Sequence, residues 1–180
     1  MKAFIAFAGL ALALAATNAA SAQDHKIEEF FGKYVGRTVS AVGEGLSQRD
    51  LNVEIKKHKN GFTLDWSTVS RRDDGTTRSK SYSINFVPTK REGIFGSAMR
   101  NNVFGGAEPL DPLKGDPYVW AGIRGDTLIV HAMLITDDGG YEMQVYERTL
   151  TPEGLFLKFW RNRDGVQSRY VTGTLTRVSK

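Results

Sequence analysis

Chemistry needs titratable or nucleophilic side chains at set spacings, and this sequence offers few. His131 stands inside the apolar run TLIVHAMLI, where a buried imidazole could ligate a haem or a metal. No second His, Asp or Glu flanks it at ligand spacing, and neither HExxH nor HxH occurs, so a satisfied core or groove histidine is expected. His25 and His58 sit in charged, solvated contexts. The serines fall in STVS, SKSYS and GSAM, none of them a G-x-S-x-G elbow. Asp65, Glu142 and Glu147 lie on segments with one wet face, where a carboxylate solvates the sheet rather than forming an acid–base pair. Cysteine is absent, which excludes disulfides, thiolate metal sites and cysteine nucleophiles. The tripeptide RGD at Arg124–Asp126 has the composition of a hairpin turn. The sequence therefore predicts no enzyme, no metal and no cofactor.

The N-terminus predicts export. Met1-Lys2 precedes the apolar run AFIAFAGLALALAA, and Ala20-Ser21-Ala22 is the small-x-small pattern of a signal-peptide cleavage site. A spanning helix needs about 20 apolar residues, so the run is too short for an anchor. Residues 1–22 read as a signal peptide cut near Ala22, leaving 23–180 as one periplasmic or secreted domain with no integral membrane segment. The net charge of +4 is spread among acids, with KKHK and SRRDDGTTRSK as the only basic clusters, which argues against nucleic acid.

DHKIEEFFGKY predicts a short amphipathic α-helix, with Asp24 as N-cap and Ile27, Phe30 and Phe31 on one face. From there the two-residue period of strands takes over, broken by KNG, RRDDG, RGD, TDDGG, TPEG and RDG turns. Hairpin-short connections make neighbours pair antiparallel. Such a meander removes its edges by closing into a barrel, and the prediction is an antiparallel up-and-down β-barrel of about 8–10 strands; a sandwich is the rival. TLIVHAMLI, apolar on both faces, should be covered on both. Trp160 falls out of register with Leu157 and Phe159 and should lie outside.

With FFGKYVGR near the start and GTLTRV near the end, the layout resembles the lipocalin-like, or calycin, superfamily. The resemblance sets Tyr34 where those families place a tryptophan at the first strand, and Arg177 where they pack an arginine across it. It implies an extracytoplasmic binder of a small apolar or amphipathic molecule.

Alternation nominates Phe62, Leu64, Trp66, Tyr82, Phe86, Tyr141, Met143, Leu157 and Phe159 as the barrel lining. Met99–Trp120 breaks the rhythm with three prolines and three glycines, and connections beyond about 12–15 residues are often lids. Its apolar residues Phe104, Leu110 and Leu113 are candidate anchors for a lid over one mouth, or for a packed surface loop that binds nothing. The alternative to a ligand binder is a filled barrel that engages an envelope protein through this loop and the RRDDGTTRSK turn.

Overall fold

Hairpin turns dictate the order of the strands. The computed structural model describes residues 25–42, 45–71, 75–97, 100–101, 107–108 and 110–180. Residues 1–22, the expected signal peptide, therefore lie outside the described residues, as does Phe104.

The strands are β1 Gly32–Val42, β2 Gly45–His58, β3 Gly61–Arg71, β4 Thr77–Pro88, β5 Ile94–Ser97, β6 Arg100–Asn101, β7 Ala107–Glu108, β8 Tyr118–Arg124, β9 Thr127–Ile135, β10 Tyr141–Thr151, β11 Gly154–Arg163 and β12 Val166–Ser179. All except β6 and β7, which pair with each other, form one closed antiparallel barrel in which β12 returns to β1. Sequential neighbours pair throughout, and the RGD segment is the tight turn from β8 to β9, with Gly125 at φ 55°.

The N-terminal element departs from the predicted α-helix. It is a 3-10 turn, Ile27–Phe30, and the chain enters β1 at Gly32. Pairing explains the shortening: β1 bonds to β2 from Gly32 and to β12 from Lys33, so the strand claims residues that an α-helix would need. Glu29 still caps the turn, accepting a hydrogen bond from the Lys26 N–H at 3.0 Å. Phe30 drops into the barrel's end, fully buried.

Antiparallel pairing also separates the two ends. The turns after β2, β4, β8 and β10 gather at the lower end with the 3-10 turn and the C-terminus; His25 N–H bonds to the Gly125 carbonyl and Arg177 N–H to that of Glu153. The connections after β1, β3, β5, β9 and β11 gather at the upper end. The long connection between β5 and β8 thus leaves and returns at the upper end.

Arg177 ties the lower end shut. It donates to the Tyr34 hydroxyl from Nη2 at 2.7 Å and from Nε at 3.1 Å, and to the Glu29 carbonyl at 2.7 Å. Its guanidinium lies 5.2 Å from the Tyr34 ring centre, and the Tyr34 hydroxyl donates to the Phe30 carbonyl at 2.8 Å. One cluster therefore links the 3-10 turn, the first strand and the last. Close approach of the same strands needs Gly36, where a Cβ would lie 2.0 Å from the Thr174 carbonyl oxygen.

The pairing makes a prediction. Tyr34→Phe and Arg177→Met should each cost about 1–3 kcal/mol in denaturant unfolding, since each orphans charge-assisted hydrogen bonds in a buried cluster. The double variant should lose less than the sum, with a coupling of about 0.5 kcal/mol or more. Strict additivity would show that the two do not act as one unit.

Candidate functional site

In a closed barrel every second residue of a strand points inward. The inward positions divide into two zones. The lower zone is packed solid: Tyr34, Ile55, Phe62, Leu64, Phe86, Leu128, Leu155 and Leu175 are each no more than 1% exposed. Phe62 stacks on Phe86 at 4.8 Å and meets Phe95 edge-on at 5.1 Å.

The upper zone differs. Trp66, Thr68, Ala132, Gln144, Phe159 and Arg169 share the inward register yet keep part of their surface exposed. Thr38, Ser40, Leu51 and Val171, inward in the same half, stay buried, so the cup that the solvent-meeting side chains mark takes up only part of the upper interior. Tyr82, also inward, is 47% exposed. Its exposure follows from the length of β5, which pairs only with Phe86–Pro88 of β4. Among the described residues no strand pairs with Thr77–Asn85 on that side.

Aromatic rings cross the cup. Tyr82 stacks on Trp66 at 5.0 Å, Trp66 approaches Tyr146 at 6.1 Å, and Tyr146 packs on Phe159 at 4.5 Å. The Tyr146 hydroxyl donates to Gln144 at 3.0 Å, and Gln144 donates to Glu142 at 2.6 Å. Glu142 in turn faces Arg161 at 3.6 Å. Burial pushes the Tyr146 phenol's pKa up, against the pull of nearby Arg148.

Charge is sorted by the fold. Arg49, Arg78, Lys80, Arg161 and Arg169 occupy inward positions in the upper half, against Glu142 as the one inward acid among the described residues, while Arg148 points inward lower down, level with Leu128 and Leu157 of the floor. On the outer face acids and bases neutralise one another: Asp50 pairs with Arg37 at 3.1 Å and Asp65 with Lys56 at 2.7 Å. Arg148 is 2% exposed, with its guanidinium 5.5 Å from the Tyr146 ring centre. Its Nε and Nη1 have no hydrogen-bond partner, and burial pushes its pKa down to about 10. Arg169 is also held below its usual pKa, by burial first and then by Arg49 and Arg161.

The nominated lining therefore splits. Trp66, Tyr82 and Phe159 line the cup, while Phe62, Leu64, Phe86 and Leu157 belong to its packed floor. Tyr141 and Met143 are corrected: pairing of Met143 with Met133, one residue from the inward pair Gln144–Ala132, places them on the outer face. The strand's two faces were rightly separated, but the polar one turns inward because the cup is polar. Leu113 is 83% exposed and anchors nothing. Leu110 is half-buried, beside a 3-10 turn at Pro112–Lys114 that lies near β9 and is capped by the Asp111 carboxylate on the Leu113 N–H. Tyr34 and Arg177 meet as described. Sequence reading passed over Arg49, Tyr146, Arg148 and Arg169.

Two surface hollows accompany the cup. One of about 470 Å³ sits at its rim, between Leu134, Glu142, Arg163 and the Thr136–Asp138 turn. The other, about 580 Å³, is a groove on the outer face of β1–β4 lined by Lys33, Glu54, Asp65 and Ser83, where Lys33 and Glu54 already face each other at 3.7 Å. No group of His, Asp and Glu suited to a metal lies among the described residues.

On the outer wall, Trp120, His131, Val145, Trp160 and Tyr170 stand directly opposite one another across β8 to β12. His131 stacks on Trp120 at 4.6 Å, within 5° of parallel, and its Nδ1 is buried without a partner. Among the described residues no helix is laid over this face. No protein-family model matches the chain, and no curated protein matches it.

Two predictions follow from these charges. Arg148→Met should raise unfolding free energy by about 1–4 kcal/mol, because an unpaired buried cation gives way to an apolar chain of similar length. A lower midpoint would show that Arg148 stabilises the fold. For His131, burial foremost, with Arg124 adding to it, holds the imidazole's pKa below its ordinary 6.5, so the folded state favours the neutral ring. Its contribution is complete above about pH 6.5 and fades as the pH falls toward the lower folded-state pKa. His131→Phe should therefore flatten the stability–pH curve below about pH 6.5 in urea titrations, whereas parallel curves would refute the assignment.

Proposed function

We propose that the protein is an exported, periplasmic or secreted lipocalin-like module that binds a small amphipathic molecule in the upper cup of its barrel. The observation that carries this reading is the contrast between zones: a floor with no exposed surface beneath inward-pointing side chains that meet solvent. Binding sites for small molecules combine apolar walls with a few convergent polar groups, and the cup has both in Trp66, Phe159, Gln144 and Arg169. The tyrosine–arginine closure of the lower end agrees with the lipocalin-like layout, and the leader-like N-terminus supports export.

Native mass spectrometry of the protein purified from its own host tests the reading: a co-purifying small molecule at one copy per chain is expected. Trp66→Leu, which removes the middle ring, should lower affinity for that molecule by about 2- to 10-fold. A protein that is always empty, and whose tryptophan emission ignores every amphipathic compound tried, would refute it.

The outer ladder favours a second reading, an interaction module of the cell envelope. Tyr118, Tyr141 and Tyr170 on that wall are about half exposed, at 52%, 45% and 46%, and tyrosines and tryptophans are enriched at protein interfaces.

A further inference from the structure

We infer that the upper cup receives a planar, ring-bearing anion: an aromatic or heteroaromatic small molecule carrying a carboxylate, phosphate or comparable oxyanion. The inference rests on the binding role proposed above and names the class of its ligand.

The first observation is Arg148. A guanidinium 98% withdrawn from solvent, with two nitrogens unbonded and no carboxylate in reach, is a standing positive charge beneath the cup. Natural interiors rarely tolerate such a group unless something anionic answers it. The second is convergence from other strands. Arg49 on β2 and Arg169 on β12 share the upper interior with Arg161, close enough that Arg49 and Arg161 weaken Arg169's hold on its proton. Arg49 Nε is also buried and unbonded. Glu142 answers Arg161 alone, at 3.6 Å. Arg49 and Arg169 are therefore left as forked donors suited to an oxyanion.

The third observation concerns the rest of the ligand. The Tyr82–Trp66–Tyr146–Phe159 band gives flat π surface, and guanidinium planes stack on rings as well. Beneath the band, Leu64, Phe86 and Leu128 are at most 1% exposed, so a long alkyl tail has no channel downward. A flat frame resting on the band, with its anionic group toward Arg49 and Arg169 and Arg148 supplying field from below, meets each of these features.

The experiment compares two fluorescent probes on the folded protein: 8-anilinonaphthalene-1-sulfonate and N-phenyl-1-naphthylamine. They share a ring frame, and the sulfonate stands in for carboxylate or phosphate. The sulfonate should bind one per chain and about tenfold or more tighter than the neutral probe, as charge-assisted hydrogen bonds imply. Its advantage should shrink with added salt. The Arg49→Gln/Arg169→Gln variant should bring the two probes within about threefold, while Trp160→Gln on the outer wall should change neither. Arg148→Met, which should not unfold the protein, gives an independent arm with the same expected loss of preference. Equal affinity for both probes, or a preference untouched by the arginine substitutions, would overturn the anion inference and leave the binding module standing. Failure of the sulfonate to bind would overturn the anion inference, and the binding module falls with it only where no amphipathic compound shifts the tryptophan emission.

Discussion

Closure is the constraint on which everything else in this structure depends. Once β12 pairs with β1, each residue's parity along its strand assigns it to the inside or the outside, and no strand can slip without inverting its neighbours. Arg177 holds that seam at its lower end, where its donors reach Tyr34 of the first strand and Glu29 of the turn before it. A hydrogen-bonded charge at this point also fixes which end is closed. Phe30 and Tyr34 plug the lower end, so the packed floor is built there and open space is pushed to the other mouth.

Closure then explains the division of charge. The chain carries basic and acidic residues in near balance, and along the sequence they look interspersed. Parity divides them unevenly: Asp50, Glu54, Asp65 and Glu147 go outside together with Lys33, Arg37, Lys56 and Lys158, while the inside keeps an excess of bases in Arg49, Arg148, Arg161 and Arg169. A cleft lined by one sign of charge between low-dielectric walls concentrates field lines and draws counter-ions toward it. The weak net charge of the whole molecule therefore understates the field within the cup.

The same parity shows what could and could not be read from the residues. Strand existence, antiparallel order and the barrel were legible because turn chemistry is local: KNG, RGD, TPEG and RDG each specify a hairpin. The outward position of Trp160 followed from its register. The orientation of β10 did not. Tyr141, Met143 and Val145 look like a core face, yet the TPEG turn pairs Leu150 with Leu155, which puts Arg148 and Tyr146 on the same side as Leu157 and Phe159. That register was present in the sequence, but the rule that apolar residues face inward outweighed it. On this strand Glu142, Gln144 and Arg148 take the inward register instead. The predicted helix shrank to a turn for a different reason, since propensity yields to strand pairing that only the distant β2 and β12 can supply.

A barrel without free edges must associate through side chains, which gives meaning to its uneven exterior. The outer face of β1–β4 bears ion pairs such as Lys56–Asp65 and Lys33–Glu54, whereas that of β8–β12 bears the aromatic ladder. A barrel that spans a membrane needs an apolar band around its whole girth. Here the charged strands interrupt any such band, and the lower interior is packed rather than a lumen. One-sided apolarity on a closed wall is instead the feature on which the proposed partner reading rests. The cup opens along the strand direction and the ladder faces sideways, so occupying one leaves the other free. The two proposed roles would thus not compete for one surface.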